Sequence, residues 1–152
     1  MDIKKILALT IIALALLSCI VAANMGFFNF SGDAMETRTF SGFTLDIPSG
    51  SKVNENYISA NNHSFRTYNV ESSEQNFTVY LIEGNAVSKV SYLSKLITSG
   101  ASNEGTYGDW SIIKENNRYH LVKHSNSKII EIHGSNLDFL KKVASSYKEK
   151  II

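Results

Sequence analysis

The chain has 152 residues, with 15 Lys plus Arg against 14 Asp plus Glu and a net charge of +1. That length leaves room for one domain, and a near-neutral chain without a basic run argues against nucleic acid as a partner. The single cysteine, Cys19, lies in an apolar N-terminal stretch, so the rest of the chain has neither a disulfide nor a thiolate nucleophile or ligand.

Lys4 and Lys5 precede the 18-residue run Ile6 to Ala23, whose only polar members are Thr10, Ser18 and Cys19. As a helix it would span about 27 Å, close to the ~30 Å hydrocarbon core of a bilayer. It has no polar face to show to water, which sets it apart from a helix of a globular core. Its flanks orient it: after Lys5 the next basic residue is Arg38, so the lysine side stays in the cytoplasm and the remainder is exported. The expectation is an uncleaved signal anchor over residues 1–23. Two alternatives stay open, cleavage after Ala23, where Val21-Ala22-Ala23 would serve as a small-residue site, and lipidation of Cys19 in Leu16-Leu17-Ser18-Cys19, which resembles a lipobox. Residues 24–37 read as a tether and 38–150 as an extracytoplasmic domain. Three sequons, at Asn29, Asn62 and Asn76, could accept glycans in a host able to attach them.

Thr39 to Ile47 alternates as a strand interrupted at Ser41-Gly42 and ended by Pro48-Ser49-Gly50. Tyr57 to Ala60, Phe65 to Val70 and Phe77 to Glu83 are short runs of aromatic and β-branched residues separated by Asn-rich punctuation, the pattern of antiparallel hairpins. Asn85 can cap a helix from Ala86 to about Thr98, with Ala86, Val90, Leu93 and Ile97 on its inner face. A Gly/Ser/Asn-rich loop, 99–108, follows. Three further runs form a meander. Asn116-Asn117 as a turn sets Glu115 opposite Arg118, and Ser125-Asn126 as the next sets Leu121 opposite Ile130 and His120 opposite Glu131. One face then carries Trp110, Ile112, Tyr119, Leu121, Ile130 and Ile132. The other is mixed, with Ile113, Arg118, His120, Val122, His124, Ile129, Glu131 and His133, and is expected to be solvated or thinly covered. Ser135 with Asp138 resembles a capping box for a last helix, whose stripe is Leu137, Leu140, Val143, Ala144 and Tyr147, with Lys148 and Lys150 near its end.

The fold class is therefore α+β, an antiparallel sheet with two packed helices. The opening Gly42-Phe43-Thr44-Leu45-Asp46-Ile47-Pro48 and the closing Ile130 to His133 with Leu137, Leu140, Val143 and Tyr147 resemble the PsbP-like domains over about residues 40–149. Ser49 to Lys52 stand where a Trp often follows the opening Pro in that family. The resemblance implies a binding or scaffolding role and carries no catalytic residue.

Gly100, Gly105 and Gly108 lack the Lys-Ser/Thr ending of a phosphate loop, and no Gly-x-Ser-x-Gly elbow occurs. The acidic residues lie in separate elements, so no carboxylate pair is assigned to catalysis. His120 and His124 are four apart, about 13 Å on a strand, too far to share an ion. A metal site would instead draw on His120, Glu131 and His133, since a two-residue slip of the last hairpin sets His120 opposite His133. No cofactor is called for. The expected function is a non-catalytic, membrane-anchored extracytoplasmic module that binds another envelope protein or a small ligand. The alternatives are metal or lipid handling on the mixed sheet face, and a structural surface protein. A cavity between sheet and helices would favour ligand binding.

Overall fold

The computed structural model describes residues 2–4, 34–60, 62–73, 75–84 and 88–150. The apolar run 6–23 with Cys19, most of the tether, the Asn29 sequon and the Asn85 cap lie outside the described residues. The chain divides into two units, Met1–Ala34 and Met35–Ile152.

The second unit contains β1 (Met35–Thr39), β2 (Phe43–Pro48), β3 (Lys52–Ala60), β4 (His63–Glu71), β5 (Phe77–Gly84), α1 (Lys89–Thr98), β6 (Ser102–Tyr107), β7 (Trp110–Glu115), β8 (Arg118–Ser125), β9 (Lys128–Gly134), α2 (Leu137–Ser145) and β10 (Lys148–Glu149). The strands form two antiparallel sheets, β1-β2-β10 and β3-β4-β5-β9-β8-β7-β6, so the α+β class holds. Met35, Glu36 and Thr37, expected in the tether, instead pair with Pro48, Ile47 and Asp46. The strand ladder therefore begins three residues before the expected start of the domain at Arg38.

The core lies between one face of the large sheet and the layer made by the small sheet and α2. Strict alternation puts Phe43, Leu45 and Ile47 of β2 inward, where they meet Val79, Leu81, Trp110, Ile112, Leu121, Ile130 and Ile132. The predicted core face of the meander is thus the observed one. From α2, Leu140, Val143 and Ala144 complete the cluster. Helix α2 comes close to the sheet because β9 ends in Gly134: a Cβ there would stand 3.1 Å from Leu140 Cδ2 and 3.4 Å from Phe77 Cβ.

The cap of α2 is Asn136, whose side chain accepts from the Phe139 N–H at 3.1 Å, rather than Ser135. Its end is also tighter than expected. Lys148 of β10 pairs with Thr44 of β2, and the Lys150 N–H donates to the Gly42 carbonyl at 3.0 Å. These residues are held by a strand ladder and do not simply trail the helix.

The 99–108 segment is not a plain loop, because Ser102–Tyr107 pairs with β7 as an edge strand with a bulge between Asn103 and Gly105. Gly105 sits at that bulge with φ +102°, a backbone state that disfavours side chains.

Candidate functional site

The second face of the large sheet is the mixed one, and α1 covers part of it. Ser88 caps α1 by accepting from the Ser91 N–H at 3.4 Å, so the described helix starts at Lys89 instead of Ala86. Of the expected inner face, Leu93 is half-buried, whereas Val90 and Ile97 point outward. Val90 is 75% exposed and Ile97 46%, while Tyr92, Leu93 and Leu96 are half-buried. None of the residues of α1 is fully buried.

Register decides what lies beneath. Glu115 opposite Arg118 and Ile112 opposite Leu121 are as expected. The next hairpin turns one residue later, on Asn126 (φ 45°) and Ser127 (φ 64°). A two-residue hairpin turn of this kind needs left-handed backbone at both central positions, and Asn126, which tolerates that conformation, is central in this turn as it would be in the expected one. Moving a turn by one residue moves every partner by two. Leu121 therefore faces Ile132 and not Ile130, and His120 faces His133 and not Glu131. Side-chain parity survives a slip of two, which is why the two faces are still sorted correctly.

His120, Glu131 and His133, the residues singled out as a metal set, are brought together. The His120 and His133 rings stack with centroids 4.1 Å apart and planes 8° from parallel. His120 Nδ1 hydrogen-bonds Glu131 Oε1, its Nε2 lies 3.2 Å from Glu115 Oε2, and the Tyr92 hydroxyl donates to Glu131 Oε2. Both carboxylate oxygens of Glu131 are thus engaged, at a residue only 2% exposed. Arg118 Nε–H donates to His133 Nε2 at 3.2 Å, which fixes that ring nitrogen as an acceptor and the ring as neutral. His124 lies four ladder pairs from His120, opposite Ile129.

The two imidazoles are pushed apart in acidity. Burial opposes a charge on His120, but the hydrogen bond and charge of Glu131, with Glu115 behind, outweigh it and raise its pKa above 6.5. Burial and then the neighbouring charge of His120 lower His133 to about 4. Of the two rings, His120 is therefore the one that takes up the first proton, and His133 gives its own up more readily. Burial, reinforced by the Glu131 charge, raises the Tyr92 pKa well above its ordinary value, so the phenol stays a donor.

Among the described residues no group of three or more His, Cys, Asp or Glu is disposed to hold a metal ion. The Arg118 guanidinium on His133 and the His120 ring on Glu131 compete with any cation for those lone pairs. Zinc titration of the full chain by calorimetry is expected to show no saturable binding at micromolar metal. Tight binding abolished in a His120→Ala, His133→Ala double variant would contradict that expectation.

Beside the cluster lies an open cleft of about 340 Å³ between α1 and the sheet. Its floor is a cross-strand row: Phe65 opposite Ile82, and Ile82 opposite Ile129. Its wall is Ser91, Tyr92 and Lys95 of α1 with the cap residue Ser88, and its end is His63. A Cβ at Gly84, the ladder partner of His63, would run into the His63 imidazole, so that glycine makes room for the ring. Tyr92 belongs to both features, lining the cleft with its ring and reaching Glu131 with its hydroxyl.

Sequence reasoning located the three titratable residues but not the cleft. Tyr92 and Glu131 lie 39 positions apart, and no spacing rule links a helix residue to a strand so distant. No protein-family model, no curated protein and no solved structure matches this chain.

Proposed function

We propose that this protein is a non-catalytic, membrane-anchored extracytoplasmic module that binds a small amphipathic anion in the cleft between α1 and the large sheet. The observation that carries the reading is the cleft itself. At about 340 Å³ it falls within the ~300–1,000 Å³ of small-molecule sites. Its apolar floor of Phe65, Ile82 and Ile129 suits a hydrocarbon body. Lys95, with the Ser88 and Ser91 hydroxyls nearby, suits a carboxylate or a similar head. The apolar run Ile6 to Ala23 behind Lys4 and Lys5 supports the anchor and the outward placement. Among the described residues no helix is long and apolar enough to cross a membrane, so the anchor rests on the sequence of that run. The resemblance to PsbP-like domains points to the same kind of role, binding or scaffolding.

The test is equilibrium binding of a medium-chain carboxylate such as decanoate to the full chain. Charge reversal in Lys95→Glu is expected to weaken binding roughly fivefold to tenfold, the scale of one solvent-exposed ion pair turned repulsive. Phe65→Ser should weaken it by loss of apolar contact, while Val90→Ser, on the outer side of α1, should not. Equal affinity for the uncharged alcohol of the same chain length, or insensitivity to both cleft variants, would overturn the assignment.

A further inference from the structure

The two edges of the large sheet are built differently. At one edge β6 is six residues long, carries the Asn103/Gly105 bulge and includes a glycine at φ +102°. Such devices stop a further strand from adding. At the other edge β3 runs nine residues against β4 in unbroken register, from Lys52 opposite Glu71 to Ala60 opposite His63. It contains no proline and only two charged residues, Lys52 and Glu55.

The free hydrogen-bonding groups of β3 can be identified. The β3–β4 hairpin has two residues between Ala60 and His63, so it closes on a pair that exchanges backbone hydrogen bonds. Bonded pairs then recur at every second residue, through Ile58–Phe65 and Asn56–Thr67. The intervening residues Val53, Glu55, Tyr57 and Ser59 direct their N–H and C=O away from β4, into the open edge.

Side chains beside that edge are unusually apolar for solvent. Ile58 is 56% exposed and its ladder partner Phe65 is 41% exposed. We propose that β3 is a self-association edge, on which a second copy of this chain pairs antiparallel, β3 to β3, about a two-fold axis at Ile58.

A second copy fits because the edge is self-complementary at one register. With the axis at Ile58, that residue faces its own copy in a non-hydrogen-bonded pair, the closer of the two kinds at about 4.5 Å between Cα atoms. Phe65 flanks it on each side, so the row Ile82–Phe65–Ile58 continues as one apolar seam across both copies. Tyr57 and Ser59 of opposite copies then exchange backbone hydrogen bonds. An axis at Asn56 or Tyr57 would set Ile58 against Asn54 or Asn56, and an axis at Glu55 would set two carboxylates face to face. At Ile58 the two Glu55 residues lie about 20 Å apart along the strands. The interface is isologous and closes on itself, so it yields a dimer and no fibre. A single strand pair buries less than the ~1,200 Å² of standard stable interfaces, so the dimer is reversible and concentration-dependent. Pairing lies in the plane of the sheet and leaves the cleft above β4, β5 and β9 open, so it does not depend on the ligand-binding reading.

Positional cross-linking tests it in the full chain, kept in detergent and carrying Cys19→Ser. Cysteine is introduced singly at Asn54, Asn56 or Ile58, three positions on the same face of β3. Oxidation is expected to give a disulfide dimer from Ile58→Cys as the major species, because only there do the two sulfurs come within disulfide reach. Adding Ser59→Pro should abolish that dimer. Its N–H points to the open edge, so proline there removes donors of the new ladder and spares the bonds to β4. Dimer from Asn54→Cys or Asn56→Cys equal to that from Ile58→Cys, no dimer at all, or persistence of the dimer with Ser59→Pro in a chain whose circular dichroism is unchanged, overturns the proposal.

Discussion

Replacing Leu140 by alanine is expected to cost about 2–5 kcal/mol of folding stability, the range for removing a fully enclosed leucine side chain. Leu140 is 0% exposed and sits where α2 is closest to the large sheet, over Gly134 and Phe77. Its loss removes the apolar transfer energy of the side chain and leaves a void. The layer around it is aromatic and tightly keyed: Phe77 packs edge-on against Phe139 at 5.4 Å and Trp110 against Tyr147 at 5.8 Å. Rings held in such contacts cannot easily fill a hole left beside them, which places the expected cost in the upper half of the range. Denaturant melts of the full chain measure it. A change below about 1 kcal/mol would mean that α2 does not close the core.

The second large effect is expected at Glu131. Removing the carboxylate in Glu131→Ala strands the buried His120 ring and the hydroxyl of Tyr92, and with His120 protonated, breaking the buried pair from one side costs roughly 3–5 kcal/mol. The effect should depend on pH in a predictable sense. His120 has its pKa raised above 6.5 in the folded chain, so the native state holds the extra proton and the stabilisation present below pH 6.5 is lost as pH rises through the raised value. His133 is lowered to about 4, so between pH 6.5 and 4 the unfolded chain takes up more protons and stability falls as pH falls. The two opposed histidines give a maximum near pH 6.5, with an acid-side loss from His133 of roughly 1–2 kcal/mol once solvent screening of a half-buried ring is allowed for. Glu131→Ala should flatten the alkaline limb, because His120 then has no carboxylate partner in β9. It should also speed amide exchange in Lys89–Thr98, since Tyr92 loses its partner on the sheet. An unchanged alkaline limb in the variant would contradict the assigned pairing.

The fold was legible where local chemistry and global packing agree. Phe43, Leu45 and Ile47 alternate without ambiguity, and Leu140, Val143 and Ala144 repeat at helical spacing, so both sides of the core could be read directly. Asn116-Asn117 gave the β7–β8 register because charges at Glu115 and Arg118 reinforced it. Ser125-Asn126-Ser127 offered two equivalent turns, each with Asn126 and one Ser at the central positions, so no local preference separates them and the pairing of β8 with β9 decides. That ambiguity moved His120 from Glu131 to His133. It did not move any residue to the wrong face.

Two features were not legible for physical reasons. β6 has no apolar alternation and is a strand only because β7 offers it a ladder, which is a tertiary effect. α1 carries aliphatic residues on both sides, Val90 and Ile97 outward and Leu93 and Leu96 toward the sheet, so periodicity could not choose its inner face. The cleft depends on that choice. Only with Tyr92 turned to the sheet do Lys95 and Ser91 come to face Phe65, Ile82 and Ile129.

Ligand binding in the cleft is tested most directly by resonance mapping of the full chain in detergent micelles titrated with decanoate. Saturable shifts are expected at Phe65, Ile82, Tyr92, Lys95 and Ile129, with Val90 and Ile97 on the outer side of α1 unmoved. Shifts that centre on Val90 and Ile97, or that grow without saturation across the exposed surface, would show adsorption and contradict a site in the cleft.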